Sequence, residues 1–163
     1  MAMSLKYAVV ERERRYLLAS MPAGTQEMRV ILDRYVVGTR LRLREVRSRD
    51  GSVLRKLNHK VRLGDGPAEV ASTSCYLDDD EWTLLQSLPA YELTKHRHTV
   101  RRDGLVVVDQ HVDGSLIAEV DDGDGPPGVV PNWLDVVEDV SDDEAWTGAA
   151  LAARLGRMSA APG

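Results

Sequence analysis

The sequence predicts a β-dominated α+β chain, a barrel or sandwich of antiparallel strands with two or three short helices. Three observations predict it. Segments of strand length such as "VVERERRYLL" (9–18), "TRLRLREVRS" (39–48) and "LVVVDQHV" (105–112) follow one another along most of the chain. Gly-containing turn signals, among them "RDG" (49–51), "GDGP" (64–67) and "DGS" (113–115), separate them at short intervals. Helix start signals stand in only two places, before "DDEWTLL" and before "DEAWTGAALAARL".

Composition sets the outer bounds. At 163 residues, with 43% hydrophobic and 29% charged residues, the chain suits one globular domain with a substantial core. A net charge of −5 argues against a general nucleic-acid binder. The one cysteine, Cys75, has no internal partner and reads as a small buried hydrophobe, which suits a reducing cytoplasm. No signal peptide is read at the start, and no apolar run approaches the roughly 20 residues of a membrane span. The expectation is a soluble cytoplasmic protein that binds neither nucleic acid nor membrane, with one domain over 1–156 and a frayed tail over 157–163.

The elements read in order as follows. After the 9–18 stretch come "MRVILDRYVV" (28–37) and 39–48, joined at Gly38, and then "VLRKLNHKVR" (53–62) after the "RDG" turn. "AEVASTSCYL" (68–77) precedes a short helix over 78–89, with Asp78 as cap, Glu81 three residues on, and Pro89 closing it. "ELTKHRHTVRR" (92–102) and 105–112 flank an Asp103-Gly104 hairpin, and "LIAEVDD" (116–122) follows. "WLDVVEDV" (133–140) reads as a last strand, and Ser141 with Glu144 as the opening of a terminal helix over 142–155.

Charge falls on one parity in strand after strand. Glu11, Glu13 and Arg15 share a face, as do Arg40, Arg42 and Arg44, then Lys56 and Lys60, then Lys95 and Arg97, then Glu119 and Asp121. Each segment alone fits an ordinary sheet with one wet side. The opposite faces are apolar in most of these strands and need covering, for which Leu84, Leu85, Leu88, Leu151 and Leu155 of the helices are available. If the helices pack outside a closed barrel, the charged faces line its interior, a site for a highly charged ligand plus a metal.

The stretch "VERERRYLL" resembles the E-x-E-x-K signature of the CYTH superfamily, the triphosphate tunnel metalloenzymes. "TRLRLR", "RKLNHKV", "YLDDDEWTLLQSLPAYELTKHRH", "VVVDQHVDGSLIAEVD" and "PNWLDVVEDVSDD…TGAALA" follow in family order and cover nearly the whole chain. The resemblance implies a closed eight-stranded antiparallel tunnel. It also implies cleavage of a phosphoanhydride bond in inorganic triphosphate, or a related organic triphosphate, with Mg²⁺ or Mn²⁺. By that resemblance Glu11, Glu13, Glu119 and Asp121 are catalytic metal ligands, joined by Asp139, with Glu138 as its register rival. Arg15, Arg42, Arg44, Lys56, Lys60, Lys95 and Arg97 would bind the triphosphate, with Arg40 an alternative by register. Arg15 replaces the motif lysine, and Asp121 replaces a second glutamate.

The residue chemistry agrees with these roles: Mg²⁺ takes carboxylate, phosphate and water oxygens, while Arg and Lys bind phosphate. Acids facing the ligand would repel a polyanion unless a metal intervenes, so they favour an enzyme over a non-catalytic polyphosphate- or phosphometabolite-binding module. A cyclase acting on ATP needs a purine-binding feature, and none is identified. His59, His96, His98 and His111 lack metal-ligand spacing and read as incidental. Trp82, Trp133 and Trp146 read as anchors, and the acidic 121–125 loop reads as a solvated turn.

Overall fold

The computed structural model describes residues 4–102, 104–123 and 125–159. Asp103 of the expected hairpin turn and Asp124 of the acidic loop lie outside the described residues. Among the described residues, eight antiparallel strands form a closed barrel: β1 (Val9–Leu18), β2 (Glu27–Val36), β3 (Leu41–Arg47), β4 (Val53–Arg62), β5 (Glu69–Tyr76), β6 (Ala90–Arg101), β7 (Leu105–His111) and β8 (Leu116–Asp121). Around the circuit they run β6, β2, β3, β4, β5, β1, β8, β7, and β7 pairs back to β6. That order sets β3 across the interior from β8. Gly38 (φ 71°) and Gly51 (φ 85°) take left-handed backbone in the β2–β3 and β3–β4 turns, where a side chain would be strained.

The first strand changes partner along one edge. Val9–Arg12 pair with β5, whereas Tyr16–Leu18 pair with a ninth strand, β9 (Val136–Asp139). β9 is shorter than the 133–140 stretch expected, because Leu134 N–H turns back to Pro131 O at 3.1 Å. A tenth strand, β10 (Arg157–Ser159), pairs with Glu92, Tyr91 and Ala90 of β6. Residues 157–159 are thus ordered rather than part of a frayed tail, and residues 160–163 lie outside the described residues.

Helix α1 (Asp79–Leu85) starts where the sequence predicts. Asp78 accepts from Glu81 N–H at 2.8 Å, and Glu81 accepts from Asp78 N–H at 2.9 Å. It docks through Trp82, which is buried, while Leu84 and Leu88 stay exposed rather than covering the sheet. The terminal helix is shorter than expected. Asp143 caps a 3-10 turn over Glu144–Trp146, and Thr147 caps α2 (Gly148–Leu155) by accepting from Ala150 N–H at 3.2 Å. Ser141, expected to cap this helix, instead hydrogen-bonds β1 and Asp139.

The two apolar clusters lie on opposite sides of the barrel wall. Tyr16, Leu18, Val106, Val108 and Ala118 point outward and are covered by Trp133, Leu134 and Met21. Leu93 and Ile117 share the parity of Lys95 and Glu119 and point inward, where Leu151 and Ala152 of α2 meet them. α2 therefore closes one end of the barrel instead of covering its outer wall. Gly148 permits this: a Cβ there would overlap the Tyr35 hydroxyl. Ala would normally favour a helix over Gly by about 1 kcal/mol. Gly148→Ala is nevertheless expected to lower stability by about 1–3 kcal/mol, as overpacking does. A melt in which Gly148→Ala matches or exceeds the natural chain would contradict this contact.

Candidate functional site

Alternation along strands with one inward face brings the sequence-predicted charges together inside the barrel. Glu11, Glu13 and Arg15 point inward from β1, Arg42 and Arg44 from β3, Lys56 and Lys60 from β4, Lys95 and Arg97 from β6, and Glu119 from β8. Arg40 lies in the turn before β3 and is exposed, so the inward pair is Arg42 and Arg44.

Two further acids, Asp33 and Asp109, organise this interior. Asp33 is fully buried on β2 and accepts a fork from Arg44 at 2.6 and 2.7 Å, with Arg42 at 3.7 Å and Lys95 at 4.0 Å. Asp109 on β7 takes Lys95 at 2.5 Å and a fork from Arg97 at 2.7 Å. Arg97 also donates to Glu119 at 2.6 Å. Burial alone would raise the pKa of Asp33 and Asp109. The facing cations, Arg44 and Arg42 for Asp33 and Lys95 and Arg97 for Asp109, override it and hold both well below the ordinary range.

This makes a pH prediction. A carboxylate with a depressed folded pKa contributes stability above its unfolded value, about 3.9, and that stability is lost as pH falls towards the folded value. Unfolding is therefore expected to become steeply pH-dependent below about pH 4, and Asp33→Asn is expected to flatten that limb of the stability curve. An acid limb of equal slope in Asp33→Asn would contradict the assignment.

The remaining charges divide into two groups. On β1 and β8, burial and then the charge of Glu119 push the Glu13 carboxyl above its ordinary value. The Glu13 carboxylate makes no hydrogen bond or ion pair among the described residues. Glu11 is different: burial would raise it, but Lys60, at 2.6 Å, together with Ser72 and Arg42, brings it below the ordinary value. On β4, burial and then Arg44 and Arg42 lower the Lys56 pKa, and among the described residues no carboxylate lies within 4.0 Å of its ammonium. Arg42 donates to Asn58 at 2.8 Å.

Not all predicted ligands converge. Asp121 lies opposite Glu13 in the β1–β8 ladder, but it is exposed and its carboxylate accepts from Gly123 N–H at 2.8 Å. Asp139 and Glu138 lie on exposed β9, and Asp139 accepts from the N–H of Ser141 at 3.0 Å and its hydroxyl at 2.5 Å. Among the described residues no three His, Cys, Asp or Glu side chains form a group that could hold a metal ion. Arg15 is buried, and its guanidinium donates to the carbonyls of Ser141 and Trp146, not to Glu11 or Glu13.

The structure adds residues that parity arguments passed over. Asp33 in "VILDRYV" and Asp109 in "LVVVDQHV" are lone acids in apolar strands, and inward parity was the available signal for both. His111 is buried and inward-facing. It lines a cavity of about 20 Å³ with Arg15, Lys95, Asp109, Glu119 and Trp146. Burial and then Lys95 lower its pKa, so it is neutral near pH 7. Cys75, expected to be buried, is exposed because it faces outward from β5. A larger crevice of about 470 Å³ lies outside the barrel between α1 and the sheet, but its acids and guanidinium groups are already paired, Arg55 with Glu45 and Asp79, and Arg34 with Glu92.

No family model matches the chain, and no curated protein does. Solved structures that share its fold include two proteins. The hypothetical protein NE1496 has a TM-score of 0.55 and 20% identity, covering 87% of this chain and 97% of its own. The PH1819 protein from Pyrococcus horikoshii OT3 has a TM-score of 0.55 and 15% identity, covering 67% and 76% respectively. At these identities the likeness concerns the fold alone. No helix among the described residues is long and apolar enough to cross a membrane.

Proposed function

We propose that the chain is a metal-dependent phosphohydrolase of the CYTH, or triphosphate tunnel, type, cleaving a phosphoanhydride bond of inorganic triphosphate or a related organic triphosphate. One observation carries the reading: charge inside the barrel is unbalanced in two places at once. Among the described residues neither Lys56 nor Glu13 makes an ion pair. At Lys56, burial with Arg44, Arg42 and Lys60 outweighs the charge of Glu11. At Glu13, burial with Glu119 and Glu11 outweighs the charges of Lys60 and Arg97. A polyanion would balance the first group and a divalent cation the second. Partial exclusion of water inside a barrel strengthens both interactions.

The donor set fits Mg²⁺ or Mn²⁺, since hard cations take oxygen ligands and retain several waters. Glu13 and Glu119 would hold the ion, with Glu11 next along the same face. Bound there, it would polarise a phosphoryl oxygen and acidify a water. Lys56, Lys60 and Arg42 would hold the phosphate chain, and Arg97 would keep Glu119 in place. Asp33 and Asp109 orient Arg44, Lys95 and Arg97, so their role is to fix the cations before ligand arrives. A chain with a single cysteine suits the reducing cytoplasm.

The second reading, a non-catalytic polyphosphate or phosphometabolite binder, draws support from Asp121 and Asp139 being turned to backbone groups. Phosphate release from a panel of inorganic triphosphate and organic triphosphates, each with Mg²⁺, Mn²⁺ or EDTA, separates the two. The hydrolase reading expects release with a divalent cation only. Tight binding without release favours the binder, and release undiminished in EDTA contradicts the metal.

A further inference from the structure

We propose that Arg15 is a positioning residue that fastens the C-terminal segment over the closed end of the barrel and does not contact the ligand. Five hydrogen bonds tie this one residue to that segment, one of them from the Ser141 hydroxyl to the Arg15 carbonyl at 3.4 Å. Its N–H donates to Ser141 Oγ at 3.0 Å, and its carbonyl accepts from Val140 N–H at 2.9 Å. Its guanidinium donates from Nη2 to Ser141 O at 2.9 Å and from Nη1 to Trp146 O at 3.5 Å. No carboxylate among the described residues lies within 4.0 Å of it, although Glu11 and Glu13 share its face.

The two accepting carbonyls belong to different pieces of structure. Ser141 follows β9, and Trp146 ends the 3-10 turn that leads into the Thr147 cap of α2. A guanidinium presents several N–H groups in a rigid fork and can bridge both, whereas an ammonium has a single nitrogen. Trp146 in turn lines the small cavity with Lys95, Asp109, His111 and Glu119. The strand that presents Glu11 and Glu13 is therefore the strand that holds the barrel floor, and Arg15 joins the two.

Hydrogen exchange on Arg15→Lys and Arg15→Met tests this whether or not the interior accepts a triphosphate. Arg15→Lys keeps charge and length, so it remains informative if Arg15→Met fails to fold. The amides of Trp146, Thr147 and Leu151 are expected to exchange about tenfold faster in Arg15→Lys, with β2 and β3 amides unchanged, as local opening requires. Affinity for Mg²⁺–tripolyphosphate is the second readout. A latch predicts that the Lys and Met variants differ little from one another in affinity, since charge at this position is not read by the ligand. Unchanged exchange in Arg15→Lys overturns the proposal. So does natural exchange and affinity in Arg15→Lys paired with a tenfold weaker affinity in Arg15→Met, the result expected of a phosphate contact. If the natural chain binds no tripolyphosphate, the triphosphate reading fails by itself, and exchange still decides the role of Arg15.

Discussion

Glu119→Gln, and separately Glu13→Gln, should lower metal-dependent tripolyphosphate hydrolysis by about 100-fold or more while leaving the thermal melt close to that of the natural chain. The magnitude follows from losing one of two charged metal ligands, since bound metal supplies several kcal/mol of transition-state stabilisation. The two variants differ in a useful way. The Glu13 carboxylate makes no ion pair among the described residues, and burial with the charge of Glu119 outweighs Lys60 and Arg97 to disfavour its charge. Glu13→Gln should therefore cost no stability and should even add some without metal. Glu119→Gln leaves Arg97 with Asp109, which already forks it at 2.7 Å. Loss of activity with an intact melt is therefore expected of both. If either variant keeps the natural rate and Mg²⁺ titration, the carboxylates are structural and the metal assignment falls.

Asp33→Ala should give the largest stability loss of any single substitution in the barrel. It removes the partner of Arg44 at 0% exposure and leaves that guanidinium, with Arg42 and Lys95 nearby, uncompensated. Removing one member of a buried ion pair costs about 3–5 kcal/mol, which for a chain of this size lowers Tm by roughly 10 °C. The cost belongs to the stranded charge rather than to the pair, so Asp33→Leu combined with Arg44→Met should recover much of the stability while abolishing triphosphate binding. A melt of Asp33→Ala within about 1–2 °C of the natural chain, or a double variant no better than the single, would contradict this account of the interior.

Much of the barrel was legible because strand parity is a local property. Once "RLRLR", "KLNHK" and "KHR" are read as strands, the side of each charged residue is fixed by a period of two, and Arg42, Arg44, Lys56, Lys60, Lys95 and Arg97 all face inward. The Asp78–Glu81 capping box was legible for the same reason, since it spans three residues. What the sequence could not show depends on distant contacts. That Ser141 serves Arg15 rather than a helix, a contact across 126 residues, follows from β9 lying along β1. That α2 closes the barrel instead of covering its wall depends on Leu93 and Ile117 facing inward at one end.

The expectation that Arg15 holds phosphate came from the motif it completes. The guanidinium instead finds backbone carbonyls that no motif spacing encodes. His111 was passed over because lone histidines on strands are common, and only its burial next to Lys95 and Trp146 singles it out. Asp33 and Asp109 were passed over because a ligand-centred reading looks for acids in pairs, and these two are single residues whose partners come from neighbouring strands.

The central claim is that the barrel interior takes a triphosphate and a divalent cation together. Calorimetric titration of tripolyphosphate into the natural chain, with Mn²⁺ and then with EDTA, tests it most directly. The account predicts one tripolyphosphate bound per chain, with affinity at least tenfold higher in Mn²⁺ and weakened about 10–100-fold by Lys56→Ala, the cost of one charge-assisted contact. Equal affinity with and without metal, or affinity indifferent to Lys56→Ala, would contradict it.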